Sequence, residues 1–253
     1  MPFLRELKLL YVRSVTASVR NPVWIFIGLF QPLLYLLLFA PLLGSLGGVP
    51  GFPAGGAYTI FTPGLLVMVA LFSTAYAGFG LVDQIRTGLV ERLLVTPASR
   101  LAILLGYVLR DVTILLAQSV LLVALAIVLG LQVSLPGLLV TFAMMVLTGT
   151  LMASCSYALA LQFKAEDTLA SVLNTIATPL LLLSGITLPL SLAPRVIRAI
   201  ASANPLSYEV TAARSLFVGN FDDSAIVVAI CLLTGLSALA FLWAARSFRR
   251  GTA

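Results

Sequence analysis

The sequence predicts an all-α membrane protein with six transmembrane helices, an N-terminal interfacial helix, a charged cytoplasmic helix, and short outer helices between spans five and six. Hydrophobic residues make up 60% of the 253 positions, charged residues only 9%, and the mean hydropathy is +1.11. A soluble domain carries roughly 25% charged residues. Charged residues are absent from positions 21–82 and 112–163. Because each span needs about 20 apolar residues, the chain has room for six or seven spans, and we expect no separate soluble domain.

Residues 3–19 are expected to form an amphipathic helix on the inner membrane surface. Apolar residues recur at helical spacing along one face, while charged residues occupy the other. The apolar face consists of Phe3, Leu7, Tyr11 and Val15, with Leu4 and Leu10 beside them, and the charged face of Arg5, Glu6, Arg13 and Arg20. The charges are spread through the segment and no small-residue cleavage site follows it, so we do not expect a signal peptide.

Positions 21–82 are too long for one span and are expected to hold two, at about 23–43 and 57–80. Glycine and proline crowd between the two spans, which is typical of a loop. Pro32 lies inside the first span and Pro63 near the start of the second. Because a proline frees backbone groups that must find other partners, each predicts a kink, either an ordinary one or part of a gate.

Residues 81–100 form the only long charged segment between very long apolar ones, and we expect them to contact another protein. The charged residues are Asp83, Arg86, Glu91, Arg92 and Arg100. Ile85, Leu89 and Leu93 share one face at helical spacing, which predicts an amphipathic helix. Thr96-Pro97 is expected to end this helix and Pro97 to begin the next. The alternative is a solvated helix that only joins two spans, although such connections are usually about 2 to 8 residues long.

The third span is expected at about 101–130, with Arg110 and Asp111 near its cytoplasmic end. A charge at the centre of a membrane helix costs roughly 2.5 to 3.5 kcal/mol, and less near the interface. Both side chains are therefore predicted to be paired or hydrated. Their role stays open between structural pairing and a part in conformational coupling.

The remaining spans follow from the later apolar runs, at about 137–163, 168–190 and 224–245. Pro179 and Ser184-Gly185 interrupt the fifth span. Between the fifth and sixth spans, Pro194 and Asn204-Pro205 indicate helix starts. They predict two short outer helices, at about 194–203 and 205–218.

The distribution of lysine and arginine predicts the orientation of the chain. With the N-terminus in the cytoplasm, eleven of these residues lie in cytoplasmic segments and three in outer ones, and Arg110 is counted in neither. This bias predicts a multi-pass protein of the plasma (inner) membrane with both termini cytoplasmic. It also explains the net charge of +6 without a nucleic-acid partner.

The chain lacks an energy source of its own. It has no G-x-x-x-x-G-K-[ST] loop, because the only lysines are Lys8 and Lys164 and each follows a large apolar residue. If ATP drives transport, another chain must bind the ATP. The sequence also has no histidine, the commonest metal ligand and general base, so we expect no catalytic, cofactor or metal site.

Three other functions are alternatives to ATP-driven transport. An ion-coupled secondary carrier needs carboxylates at mid-membrane, and the only candidate is Asp111, near one edge. An intramembrane hydrolase could use Ser184, but no histidine or membrane-depth lysine is present to activate it. A purely structural membrane protein is the third alternative.

Five motifs in a fixed order make the chain resemble the ABC-2 type permease family, particularly its daunorubicin-resistance and nodulation-export branch. They are Arg20-Asn21-Pro22; Gln31-Pro32 with Leu33, Leu34, Tyr35 and Phe39; D-x-x-R-x-G-x-x-E-R-L over 83–93; Thr96-Pro97-Ala98-Ser99-Arg100 with Leu105-Gly106; and Asn204-Pro205-Leu206-Ser207-Tyr208 followed by Arg214. No single motif is diagnostic, but together they span nearly the whole chain.

The resemblance implies one transmembrane domain over residues 1–253, which pairs with a second permease subunit as a homodimer or related heterodimer. It implies two ABC ATPase subunits that carry ATP and Mg, and efflux of amphipathic drugs, lipids or lipid-linked saccharides, with antibiotic resistance as one outcome. In this family the N-terminal surface helix braces the permease against the ATPase, and membrane lipid surrounds the spans.

The resemblance also assigns roles to particular residues. The coupling helix over 83–95 and the proline beyond it would contact the ATPase through Asp83, Arg86, Gly88, Glu91, Arg92 and Pro97. The outer gate would include Asn204, Pro205, Tyr208 and Arg214, and the substrate path Gln31, Pro32 and Tyr35. The pair Arg110-Asp111 departs from the family pattern, so no role carries over to it.

Overall fold

The computed structural model describes residues 2–20, 23–44, 56–90, 99–186 and 194–250, and regular structure within these ranges is α-helical throughout. The all-α prediction is therefore confirmed for the described chain. The helices are α1 (Pro2–Arg20), α2 (Val23–Gly44), α3 (Gly56–Ala75), α4 (Ala77–Arg86), α5 (Arg100–Val128), α6 (Leu135–Phe163), α7 (Glu166–Leu182), α8 (Arg195–Ala201), α9 (Pro205–Val218) and α10 (Ser224–Arg250).

Four helical segments of the described chain are long and apolar enough to cross a membrane. They are Tyr58–Arg86, which joins α3 and α4, and then Arg100–Val128, Leu135–Phe163 and Ser224–Arg249. The helices α2 and α7 stand where spans one and five were predicted, but α7 has only 17 residues against the approximately 20 that a span needs. A multi-pass membrane protein is supported, and the count of six spans stays a prediction.

The predicted N-terminal helix is present as α1, which packs against α5. Gly106 of α5 permits a close approach, because an added Cβ would lie 3.2 Å from the Cβ of Leu10. The hydroxyl groups of Tyr11 and Thr113 are 2.9 Å apart and hydrogen-bonded. Near the start of α5, the amide of Ser99 donates to a carboxylate oxygen of Glu6 at 3.2 Å, where the helix dipole favours negative charge.

The second span differs from the prediction in where it breaks and where it ends. Pro63 lies inside α3 without ending it. The break comes at Tyr76 (φ −89°, ψ 3°), and α4 then continues to Arg86, beyond the predicted end at Gly80. Leu81 and Val82 are buried, so packing against the bundle continues beyond the predicted end of the span.

The prediction of one unbroken amphipathic helix within residues 81–100 is wrong, because α4 ends at Arg86 and a turn follows at Thr87 and Gly88, before two further helical residues. The amides of Thr87 and Gly88 donate to the carbonyls of Asp83 and Ile85 at 2.9 and 3.1 Å. Gly88 has φ +70°, a left-handed conformation that glycine adopts without the steric penalty of other residues. Helical spacing of apolar residues therefore did not detect the glycine stop.

The part of the charged stretch that carries Glu91, Arg92 and Pro97 lies within residues 91–98, outside the described chain. After it, α5 begins at Arg100 and not at Pro97 as predicted. Ser99 is the N-cap, with extended backbone and a side-chain oxygen that accepts the amide of Ala102 at 3.1 Å. The capping serine, and not the proline, fixes the start of this helix.

The two short helices predicted between spans five and six are present as α8 and α9, and their position on the outer side stays a prediction. The preceding helix α7 ends at Leu182, earlier than the predicted position 190, and Gly185 beyond it has φ +74°. The backbone of α9 lies directly against α6, since a Cβ added to Gly137 would be 1.8 Å from the carbonyl oxygen of Leu216. The last helix, α10, packs along α6 and runs to Arg250, beyond the predicted end at Ala245.

Candidate functional site

Arg110 and Asp111 of α5 form a salt bridge within the helical bundle. The Arg110 guanidinium donates to one carboxylate oxygen of Asp111 from Nε at 2.9 Å and from Nη2 at 2.6 Å. Nη2 also donates to the hydroxyl of Tyr157 on α6 at 3.0 Å, and that hydroxyl donates to the second oxygen of Asp111. Asp111 is 5% exposed and Tyr157 1% exposed. We call these three side chains the charge cluster.

A second tyrosine extends the charge cluster toward α4. The Tyr107 ring lies one turn before Arg110 on α5, 5.7 Å from the guanidinium carbon, at cation–π distance. Its centroid is 5.9 Å from that of Tyr157. The Tyr107 hydroxyl donates to the side-chain oxygen of Gln84 on α4 at 2.5 Å. The two tyrosine rings therefore lie beside the ion pair, and one of them reaches the helix that leads into the charged stretch.

The end of α4 also contacts the start of α7. Arg86 forms a salt bridge with Glu166 at 3.1 Å, and both side chains are largely exposed. An exposed ion pair contributes about 0 to 1 kcal/mol, so this contact orients the two helix ends more than it stabilises them. Of the residues predicted to contact an ATPase, the structure describes Asp83, Arg86 and Gly88, and it places Asp83 and Arg86 on the exposed side of α4.

The break between α3 and α4 fits against α6 through a serine. Ser156 donates from Oγ to the carbonyl of Ala75 at 2.5 Å and accepts the amide of Gly78 at 2.9 Å. An added Cβ on Gly78 would lie 2.6 Å from that Oγ, so only glycine permits the contact. Because Ser156 precedes Tyr157, consecutive residues of α6 contact the helix break and the charge cluster.

Arg214 of α9 binds backbone carbonyls from two other segments. Its Nε donates to the carbonyl of Ile60 on α3 at 3.0 Å, and Nη2 donates to the carbonyls of Gly185 and Ile186 at 2.8 and 3.3 Å. The planar guanidinium fork can donate to several carbonyls at once, here one within α3 and two in the chain beyond α7. Gly64 of α3 permits this approach, since its Cβ would lie 2.7 Å from the oxygen of Ile186.

The other predicted outer residues hold the start of α9. Asn204 accepts the amide of Leu206 at 3.0 Å as N-cap and donates to the carbonyl of Leu180 at 2.8 Å, while Pro205 takes the first helical position. The Tyr208 hydroxyl donates to the carbonyl of Ser202 at 3.0 Å. We call Asn204, Tyr208 and Arg214 the carbonyl clamp. Through it α9 is tied to α3 and to the end of α7.

The residues predicted for a substrate path lie on α2. Gln31 is exposed, Pro32 is buried and Tyr35 is half-buried. The helix itself packs on α3 and α5. Tyr35 packs against a hydrophobic cluster that includes Leu206 and Val210 of α9.

A polar face on α7 was not anticipated from the sequence. Its exposed side chains at helical spacing are Ser171, Asn174, Thr175 and Thr178. Asn174 accepts a hydrogen bond from the Tyr76 hydroxyl at 2.6 Å. The Tyr76 ring is flanked by Phe72 and Phe79, with ring centroids 6.2 and 5.7 Å away. Uncharged polar groups and aromatic rings therefore form one continuous surface.

Comparison with known proteins places the chain in a family. The model of the ABC-2 type transporter family matches residues 5–218. The chain belongs to this family. The daunorubicin resistance ABC transporter permease protein DrrB1 of Streptomyces coeruleorubidus is 28% identical over 229 residues, which cover 90% of this chain and 80% of the relative. The transport permease ycf38 of Pyropia yezoensis is 28% identical over 238 residues, 90% of this chain and 81% of the relative.

An ABC-2 permease is the membrane subunit of an ABC transporter and is not itself the catalytic subunit.

Among the residues that the structure describes, no group of three or more His, Cys, Asp or Glu side chains is arranged to hold a metal ion. The side-chain groups found in this permease consist of hydrogen-bonded contacts between helices. They are suited to holding helices in place and to moving them together.

Sequence reasoning missed several residues of these groups. No sequence pattern indicated a role for Tyr107, Tyr157 or Gln84, because a tyrosine in an apolar run does not reveal which helix its hydroxyl reaches. Glu209 of α9 could have been noticed, because it is an acidic residue within a short apolar helix. It is 1% exposed, and one oxygen accepts a hydrogen bond from Thr148 of α6 at 2.7 Å. Its other oxygen has no hydrogen-bond partner among the described residues.

Proposed function

We propose that this permease works in an ATP-driven exporter, as one of two permease subunits joined to two soluble ATPase subunits that bind ATP and Mg²⁺. The pair is either a homodimer or a related heterodimer. The observation that carries the proposal is the continuity of the second span with the charged stretch. Tyr58–Arg86 is one apolar helical segment with a break at Tyr76. A force applied to the stretch around Asp83 and Gly88 would therefore act directly on a membrane helix.

The sequence supports the need for a separate energy-coupling subunit. No phosphate-binding loop of the G-x-x-x-x-G-K-[ST] type occurs anywhere in the chain. Charged residues of the stretch, including Glu91 and Arg92 beyond the described part, would form the contact with the ATPase. The Arg86–Glu166 ion pair links this contact to the start of α7. The charge bias of the loops supports an orientation in the inner membrane with both termini cytoplasmic.

The proposed cargo is an amphipathic molecule: a drug, a lipid or a lipid-linked saccharide. The polar face of α7 beside Phe72, Tyr76 and Phe79 supports this class, because it offers aromatic surface and uncharged hydrogen-bonding groups together. One relative, from Streptomyces coeruleorubidus, is named a daunorubicin resistance ABC transporter permease protein. Gln31, Pro32 and Tyr35 of α2 remain part of the proposed path, with Gln31 as its exposed polar group.

The carbonyl clamp is proposed to act at the outer gate. Asn204, Pro205 and Tyr208 position α9, and Arg214 ties it to α3 and to the chain beyond α7. Opening an exit between these segments requires breaking the hydrogen bonds of Arg214 to these carbonyls. A closed gate is therefore the stable arrangement, and opening needs an energy input.

An ion-coupled carrier is the second candidate, and one observation favours it. Asp111 is paired with Arg110, so it is not a free intramembrane carboxylate of the kind that such carriers use. Glu209, however, is a buried carboxyl group without a cationic partner among the described residues. It is the group through which a proton or a cation would act.

The two candidates differ in their dependence on ATP. The permease would be co-expressed with the ATPase encoded beside it, and inverted membrane vesicles would be assayed for uptake of daunorubicin as a fluorescent amphipathic probe. We expect uptake that requires ATP, stops with vanadate and persists when an uncoupler collapses the proton gradient. Uptake without ATP that the uncoupler abolishes would favour the carrier and contradict the exporter.

A further inference from the structure

The charge cluster and α4 are joined by a continuous series of side-chain contacts. Gln84 accepts the Tyr107 hydroxyl, the Tyr107 ring lies against Arg110 and Tyr157, and these two side chains bind Asp111. The series begins two residues before Arg86, at the end of the second span. It therefore connects the start of the charged stretch to α5 and α6 inside the bundle.

A second contact joins the same helices. Ser156 holds the break between α3 and α4 through Ala75 and Gly78, and the next residue, Tyr157, binds the charge cluster. Movement of α4 relative to α6 must disturb one of these two contacts. Since Gly78 has no room for a side chain at this point, α4 and α6 are in direct contact and cannot separate without loss of the hydrogen bonds.

Stability alone is a weak reason for a charge cluster at this position. A buried ion pair commonly contributes little net stability compared with apolar residues of the same size, because both charges must be desolvated. The charge cluster does, however, fix the relative orientation of its side chains. The Arg110 guanidinium donates to both Asp111 and Tyr157, and this permits only a narrow range of positions for the three groups. A fixed relative orientation is the property that a connection between moving helices needs.

We infer that Tyr107 and Tyr157 are positioning residues that make α5 and α6 move with α4 when the charged stretch is displaced, with Arg110 and Asp111 as the rigid centre of the connection. The inference rests on the proposed function, because the displacement comes from the ATPase. It gives the pair Arg110-Asp111 a role in conformational coupling. The alternative, a static pairing, is an outcome of the test below.

The test removes single hydroxyl groups and leaves the charges in place. Tyr107→Phe deletes the bond to Gln84 but keeps the ring beside Arg110, and Gln84→Leu deletes the same bond from the other side. Tyr11→Phe is the matched control, because it deletes a hydroxyl bond to the same helix α5, at Thr113, outside the connection. Each variant would be made in a background without Cys155 and Cys231, with a single cysteine at Ser202 for a fluorescent label.

Residue 202 reports on the far end of the bundle, since α7 begins beside Arg86 and ends beside Asn204. The assembled complex with the ATPase would be measured with and without ATP plus vanadate, together with its rate of ATP hydrolysis. In Tyr107→Phe we expect hydrolysis within about twofold of the parent and a label response about fivefold smaller, the factor that corresponds to one hydrogen bond of about 1 kcal/mol. Gln84→Leu should behave alike, and the double variant should be no worse than either single one.

Several outcomes would overturn the inference. An unchanged label response in Tyr107→Phe would make the contact a static one. An equal fall in Tyr11→Phe would mean that any lost hydroxyl contact of α5 has the same effect. If the parent complex itself gave no ATP-dependent response, the proposed function would fail and the inference with it, and that result is distinct because it does not depend on the variants.

Discussion

At the scale of single residues, the two arginines within the helical bundle of this permease bind different kinds of acceptor. Arg214 donates only to backbone carbonyls, whereas Arg110 donates to a carboxylate and a hydroxyl group. Both arrangements use the planar fork of the guanidinium, which a lysine does not provide. Two arginines in apolar surroundings are therefore satisfied in different ways, one by backbone carbonyls and one within a salt bridge.

Glu209 and Thr148 provide a test at this scale. Thr148→Val deletes the only hydrogen bond described for the buried carboxyl group, and we expect it to lower the free energy of unfolding by about 1 kcal/mol or more. Glu209→Gln keeps an acceptor oxygen for Thr148 and removes an ionisable group, so it should be as stable as the parent or more stable. Both would be measured as thermal unfolding of the purified permease in detergent.

The matched control is Thr150→Val on the same helix. Its hydroxyl donates only to the carbonyl of Val146 within α6, so removing it should change stability by less than about 0.5 kcal/mol. Equal losses for Thr148→Val and Thr150→Val would mean that the contact between α6 and α9 contributes nothing. A large loss for Glu209→Gln would show that the charged carboxylate is the form that the fold requires.

At the scale of elements, α4 belongs to the second span and also begins the charged stretch. Its buried residues Leu81 and Val82 continue the packing of α3, while Asp83 and Arg86 are exposed. The helix stops where Gly88 takes a positive φ. The boundary between membrane helix and contact segment is therefore set by a turn and not by the first charge.

The glycine turn gives a prediction for the element that follows it. Gly88→Ala forces a left-handed conformation on a residue with a Cβ, at a cost of about 1 to 2 kcal/mol, although nothing lies within 4 Å of the added carbon. We expect the segment beyond it to be misdirected and less ATPase to co-purify with the permease. Gly80→Ala is the control, because that glycine lies inside α4 with equally open space and alanine favours a helix there. Equal co-purification for the two variants would contradict this role of the turn.

The sequence predicted helices well where apolar runs were long, and poorly where a local stop or a contact between helices decided the structure. The bounds of α5 and α6 lie close to those predicted, because hydropathy follows membrane thickness. The end of α4 at Arg86 depended on a turn in which Gly88 has one left-handed backbone angle. The Tyr107–Gln84 bond joins residues 23 positions apart on different helices. Periodicity identifies a buried face, but it does not identify the neighbour that the face contacts.

At the scale of the whole molecule, the two ends of the bundle carry different kinds of contact. At the end where α4 meets α7, side chains bind side chains, as in the Arg86–Glu166 pair. At the end where α9 begins, Asn204 and Arg214 bind backbone carbonyls. The first kind is exposed and weak, and therefore easily exchanged for contacts with another protein. The second kind leaves carbonyls without partners when it breaks, so this end is the more strongly closed of the two.

Labelling of single cysteines tests how this molecule lies in the membrane. In a background without Cys155 and Cys231, a cysteine at Ser202 should react with a membrane-impermeant maleimide from outside, and a cysteine at Gly88 only from the cytoplasm. The physical reason is the excess of lysine and arginine in the segments on the side of Gly88, eleven against three. Gly48, in the loop between the first two predicted spans, should behave like Ser202. Because α7 is only 17 residues long, labelling at position 202 is the strictest test of the six-span arrangement. Labelling there from the cytoplasm would mean that α7 does not cross the membrane, and the six-span arrangement would have to be replaced.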